Sequence, residues 1–150
     1  MITIILVSLI GVVISIIIGT VWHSPQMWGG KIHMEYIGFS KLSAAEQQQK
    51  IAEAKPHMWK TYVMQMVLSF FTSFFIVFVL SKSIENGEGV NMFYSYLAFV
   101  WLSFSVPLIG GNILWGPVEG SLRVKKFLAD SIYNLITYGV VAWVASLFFV

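Results

Sequence analysis

"TYVMQMVLSFFTSFFIVFVLS", residues 61–81, runs for 21 positions without an Asp, Glu, Lys or Arg. An α-helix rises ~1.5 Å per residue, so about 20 apolar residues cross the ~30 Å hydrocarbon core of a bilayer. Three other stretches read the same way. Residues 1–30 and 89–118 hold no charged side chain, and Asp130 is the one charge between Phe127 and Val150. The expected fold is an all-α integral membrane protein, a four-transmembrane-helix bundle with spans at 2–22, 58–81, 92–115 and 127–150. Four spans use most of the 150 residues, so residues 1–150 form a single domain with no room for a separate soluble one.

Composition agrees. The chain is 57% hydrophobic and 11% charged, against about 25% charged in soluble domains, which leaves too little polar surface to coat a soluble globule. The first span is read as a retained helix rather than a cleaved signal. No basic residue precedes it, its apolar run exceeds an h-region, and no small-x-small site precedes Trp22. The absence of cysteine excludes disulfides, zinc–thiolate sites and thiol catalysis. A net charge of +2 is too small to draw nucleic acid.

The connections carry the orientation. Residues 83–91, "SIENGEGVN", form a short turn marked by Asn86-Gly87 and Gly89. The loops at 23–57 and 116–126, with their flanks, hold Lys31, Lys41, Lys50, Lys55, Lys60, Arg123, Lys125 and Lys126, whereas the 83–91 side has Lys82 alone. Both basic loops lie on one face, so the positive-inside rule places them in the cytoplasm and both termini outside. The expected location is the bacterial inner membrane, multi-pass. Within the first loop, Trp28, Ile32, Tyr36 and Phe39 share one helical face, a pattern suited to a short segment lying among headgroups. Ser43 and Glu46 then stand at capping-box spacing, Glu46 pairs with Lys50 one turn on, and Pro56 is expected to end this short helix.

"GTVWHSP" (19–25) and "GNILWGP" (111–117) end the first and third spans alike, each with Gly, Trp and Pro in order. Such an echo fits two parallel hairpin repeats and also arises by chance at helix ends. "GTVWHSP", "GFS" (38–40), "NILW" (112–115) and "KKFLADSIYNLI" (125–136) resemble a bacterial membrane family, domain of unknown function 1761. The resemblance implies four transmembrane helices, a G-x-x-W-[YH]-S-P helix end and a K-x-F-L-x-N-x-x-Y opening to the last helix. It implies no activity. The chain departs from the pattern at Asp130, where the family has Asn, and over 116–124, which is longer than the family's connection.

Several residue sets invite a function, and each has a plainer reading. Gly11, Ser15 and Gly19 form a small-residue face on the first span, either a homodimer contact or a packing face within the chain. Pro107 removes a backbone donor mid-span, so a kink is expected there, loosened by Gly110 and Gly111. Broken helices line transporter sites and also occur in inert bundles. Asp130 is either an intramembrane proton or cation site, or an interfacial group paired with Lys126 in the first turn of the last helix, where the helix dipole favours it. Thr20, His23, Ser24, Asn112, Glu119, Asp130 and Asn134 fall at the inner side and form a candidate polar cavity. His23, His33 and His57 lie on that side too, but none shows metal-ligand spacing, so no metal and no cofactor is expected. Trp22, Trp28, Trp59 and Trp115 suit an inner aromatic belt, with Trp101 deeper in the bundle.

No nucleophile motif, P-loop or dinucleotide fingerprint is present, so an enzyme is not expected. The expected role is a non-enzymatic assembly or interaction component whose partners are the lipid bilayer and a second copy or another membrane protein. The alternative is small-solute, ion or proton transport through an oligomer, using the Pro107–Asn112 break and Asp130/Asn134.

Overall fold

The computed structural model describes residues 1–114, 116, 118 and 120–149. Six α-helices account for almost all of them: α1 (Ile2–Trp22), α2 (Trp28–Tyr36), α3 (Ala44–Glu85), α4 (Gly89–Val100), α5 (Val106–Leu114) and α6 (Ser121–Ser146). A 3₁₀ turn at Phe39–Lys41 links α2 to α3, and a π turn at Trp101–Ser105 joins α4 to α5 as one continuous rod. No strand occurs among the described residues. Four helical runs are long and apolar enough to cross a membrane: Ile2–Trp22, Ala44–Glu85, Gly89–Ile113 and Ser121–Ser146.

Where the bundle packs, small residues set the spacing. A Cβ on Gly11 would lie 2.7 Å from Ser73 Oγ and 3.1 Å from Val141 Cγ1, so α1 seats between α3 and α6 only without one. Ser15 is buried one turn on and donates its hydroxyl to Gly11 O at 2.8 Å. A Cβ on Gly19 would meet the Tyr133 hydroxyl at 3.0 Å. The Gly11–Ser15–Gly19 face is therefore occupied within the chain. Above it, Ile4 and Val7 of α1, Ile76, Val77 and Leu80 of α3, Phe93 of α4 and Val141, Ala142 and Ala145 of α6 form the apolar core. That core sits toward the α3–α4 turn. At the opposite end, α2 lies against α6.

Two helices have other bounds than the sequence reading gives them, and a third carries a π turn beside its proline. The polar segment from Ser43 does not stop at Pro56: α3 starts from the Ser43–Glu46 capping box and continues for 42 residues with Pro56 inside it. A proline there costs one bond, to the carbonyl of Ala52, and this stretch is exposed on all sides, so water can take that carbonyl. At Pro107 the missing N–H and the ring's clash with the carbonyl of Ser103 are absorbed by the π turn, where the Val106 N–H reaches back five residues to Trp101 O. The helix runs on through the proline, with Gly110 against Phe127 of α6. Finally, α6 begins at Ser121 rather than 127. Gly120 turns the chain at φ 71°, and the Arg123 guanidinium ties down the preceding connection through Val118 O (2.9 Å) and Gly116 O (3.3 Å). Asp130 is thus well inside α6, beyond the first turn where a helix dipole acts.

Candidate functional site

The α2 end of the bundle gathers two histidines around Lys126, the one buried charged side chain among the described residues. Its geometry starts with two glycines. A Cβ on Gly30 would stand 1.9 Å from the Ser24 carbonyl oxygen, and one on Gly29 would stand 2.1 Å from Trp22 Nε1. The N-terminus of α2 therefore folds back hard onto the end of α1, with Gly29, Gly30 and Ile32 buried. Trp22 and Trp28 meet edge to face, ring centroids 6.2 Å apart.

This fold-back brings His33 of α2 against His23, the residue that caps α1. Their ring centroids are 5.6 Å apart, and Tyr133 of α6 covers His23 from another side at 5.2 Å. His23 stays accessible to solvent overall, yet two rings lie against it. One turn along α2, Tyr36 stacks under Lys126 of α6, whose ammonium stands 5.7 Å from the ring centroid. Lys126 is buried, and it pairs with Asp130 through both carboxylate oxygens, 2.6 Å to Oδ1. A charged lysine is tolerated in such a place only with a partner of this kind.

The charges act on the imidazoles. Burial among these rings holds His23 below the ordinary histidine range, and the neighbouring His33 and the Lys126 ammonium push it further down, while Asp130 pulls the other way. His33 is lowered by burial first and by Lys126 second, again opposed by Asp130. Both rings are therefore neutral at pH 7 and carry a hydrogen on one nitrogen. Among the described residues no three of His, Asp and Glu converge as a metal would require.

The residues singled out in the sequence scatter around this cluster. His23 and Asp130 belong to it. Asn134 lies one turn from Asp130, and its amide donates to Asp130 O at 2.8 Å. Ser24 contributes its carbonyl, which also accepts the Met27 N–H at 3.1 Å. Thr20 faces away, exposed, with its hydroxyl donating to Ile16 O at 2.8 Å. Asn112 is exposed on α5. Glu119 lies outside the described residues, as does Trp115. The second histidine beside His23 is His33, whereas His57 sits exposed along α3. The sequence reading did not pick out His33 and Tyr36 as partners of α6. The available signal was "WGGKIHMEY" itself: paired glycines permit close docking, and residues 29, 32, 33 and 36 fall on adjoining positions of one helical face.

A separate cleft of about 220 Å³ opens between α3, α4 and α6, lined by Phe75, Ile76, Phe93 and Tyr138 among others. Its lining includes none of Asn112, Asp130 and Asn134.

The family described as a protein of unknown function, DUF1761, matches residues 6–146. The chain belongs to that family. The DUF1761 match runs from the first turns of α1 to the end of α6, so the His23–His33–Lys126–Asp130 cluster lies wholly inside it. Neither a curated protein nor a solved structure matches the chain.

Proposed function

We propose that this DUF1761 chain is a four-span integral membrane protein, with both termini outside and α2 on the cytoplasmic face, that works by assembling with a second copy of itself rather than by catalysis. Support for insertion comes from the four apolar helical runs. Support for the register comes from Gly11 packing on Ser73, which sets the middle of α1 level with that residue. Since α1 and α3 run antiparallel, Trp22 is then level with residue 62 of α3. Residues 44–61 project past the interface by about 27 Å at ~1.5 Å per residue, and they carry Lys50, Lys55 and Lys60. The eight cations on that side against Lys82 on the other support its cytoplasmic placement.

One observation carries the assembly reading. The span Gly89–Ile113 has only 6% of its apolar window buried, against 28% for each of the other three. Exposed Phe99, Leu102, Phe104 and Leu108 are at home in lipid. Ser103, near the middle of this rod, and Asn112, near its inner end, are exposed as well. Hydroxyl and amide groups are poorly served by hydrocarbon and well served by a neighbouring helix. The α1 small-residue face is already filled by Ser73, Val141 and Tyr133, which favours the α4–α5 rod, the least buried span, as the surface for a partner.

Native mass spectrometry in mild detergent tests this. The wild type is expected as a dimer or larger, and Ser103→Leu with Asn112→Leu is expected to shift it toward monomer. Interhelical hydrogen bonds in lipid contribute roughly 0.6–2 kcal/mol each, so the pair should weaken association on the order of tenfold or more. A wild-type protein that is monomeric across detergents and nanodiscs would overturn the reading. Transport has less support: Lys126 occupies the Asp130 carboxylate, and the Asn134 amide bonds within its own helix.

A further inference from the structure

The junction that holds α2 to the bundle includes one contact between two groups that can change charge, His23 and His33. Its apolar contribution is small, with Ile32 the one large buried side chain of α2. The rest is the backbone fold-back at Gly29 and Gly30, the His23–His33 contact, and Tyr36 beneath Lys126. Every one of these joins α2 to the end of α1 or to α6. We propose that His23 and His33 form a proton-operated latch: while both imidazoles are neutral α2 stays seated on α1 and α6, and protonation drives it off.

The charges around the pair set the direction. From α6, the Lys126 charge acts on both rings, opposed by Asp130, and Tyr133 packs on His23. From α2, Tyr36 stacks on Lys126, while Lys31 and Glu35 are exposed. Arg123 is engaged by the carbonyls of Gly116 and Val118. Asp130, the one anion of the cluster among the described residues, is paired to Lys126, so it neutralises a single positive charge. A proton added to either histidine therefore makes a second cation beside Lys126, and a proton on each makes a third, across a ring separation of 5.6 Å. Like charges at such a distance, partly shielded from water, repel strongly. Moving α2 away relieves that repulsion because His33 travels with it.

The pH dependence follows from linkage. In the seated state both imidazoles sit below the ordinary histidine value of 6.5. Once α2 lifts, they return toward that value and bind protons more readily. The released state is thus the one with more protons bound, so the seat is held at neutral pH and weakens as pH falls through 6.5 and below. Because α2 lies at the headgroup level and carries Trp28 exposed on its outer side, release frees an amphipathic segment at the inner membrane surface.

The chain has no cysteine, which makes a spin-label test direct. Nitroxides are placed at Glu35→Cys on α2 and Lys125→Cys on α6, both exposed sites, in the full chain reconstituted in nanodiscs. At pH 7.5 a single narrow distance population is expected. At pH 5.0 a longer, broad population is expected to replace it, with a midpoint below 6.5 and full reversal on return to pH 7.5. In a His23→Gln, His33→Gln background the narrow population should persist at pH 5.0, and His33→Asn alone should shift the midpoint down. His33→Arg, a fixed positive charge, should give the broad population already at pH 7.5. An unchanged distance between pH 7.5 and 5.0 in the wild type overturns the latch. So does broadening of the same size and midpoint in the histidine variants, which would assign the opening to other groups.

Discussion

Lys126 and Asp130 show how one turn of helix decides what a charge means. Alone below the headgroups, the carboxylate would be a costly group kept for chemistry; with Lys126 four residues earlier it becomes half of an ion pair. The pair is partly dry, with the lysine side chain 10% and the aspartate 24% accessible. Removing one member of a buried pair costs about 3–5 kcal/mol, and the residual solvation of Asp130 brings the expected loss for Lys126→Met down to roughly 1–3 kcal/mol. Chemical denaturation in mixed micelles measures it. The double variant Lys126→Met, Asp130→Leu should recover most of that loss, since no unpaired charge is left behind. A double variant as unstable as the single one would mean that the Lys126–Tyr36 contact, not the ion pair, carries the stability. The pair was legible in the sequence as an i,i+4 spacing. Its place beyond the first turn of α6 was not, because the start of that helix depends on Gly120 and on Arg123 folding back to Gly116 and Val118.

At the scale of elements, hydropathy located the apolar runs and Pro56 misplaced one end. Pro56 is an expected stop and stands inside α3, whereas at Pro107, the expected break, the α-helical pattern is interrupted by a π turn just before the proline. At Pro56 the local rule yields to the water around the residue. The cost of Pro56 still exists: a helix-interior proline is less favourable than alanine by about 3 kcal/mol. Pro56→Ala should therefore slow amide exchange over residues 48–60 by one or more orders of magnitude, read by hydrogen–deuterium exchange, with the exchange of α1 and α6 unchanged. Equal exchange in the two proteins would mean that the projecting part of α3 is not helical in solution. The other element that the sequence rendered incompletely is α2. Spacing put Trp28, Ile32, Tyr36 and Phe39 on one face as a headgroup-lying segment, but nothing in its own residues says that the glycines would press it onto Ser24 and Trp22, or that His33 would land on His23. Contacts between segments far apart in sequence are not encoded in the periodicity of either one.

Over the whole molecule, two kinds of order coexist. The half of the bundle toward the α3–α4 turn is an apolar core of close-packed aliphatic groups and Phe93, whereas the α2 end is a ring-and-charge cluster joining α1, α2 and α6. The long spans, the small-residue face and the imbalance of cations between the two ends were all readable from composition and spacing. Of the candidate cavity residues, His23 and Asp130 fall in one cluster, the Asn134 amide is tied to its own helix, the Thr20 hydroxyl bonds back to Ile16, and Asn112 is exposed on α5. The proposed orientation of the spans decides which side of the membrane α2 and the His23–His33 pair face. Single cysteines at Lys41, Glu88 and Lys125, labelled with a membrane-impermeant maleimide in intact cells and again after permeabilisation, test it most directly. Labelling of Glu88→Cys in intact cells, with Lys41→Cys and Lys125→Cys reacting only after permeabilisation, is the predicted result; Lys41→Cys or Lys125→Cys reacting in intact cells while Glu88→Cys is protected would contradict it.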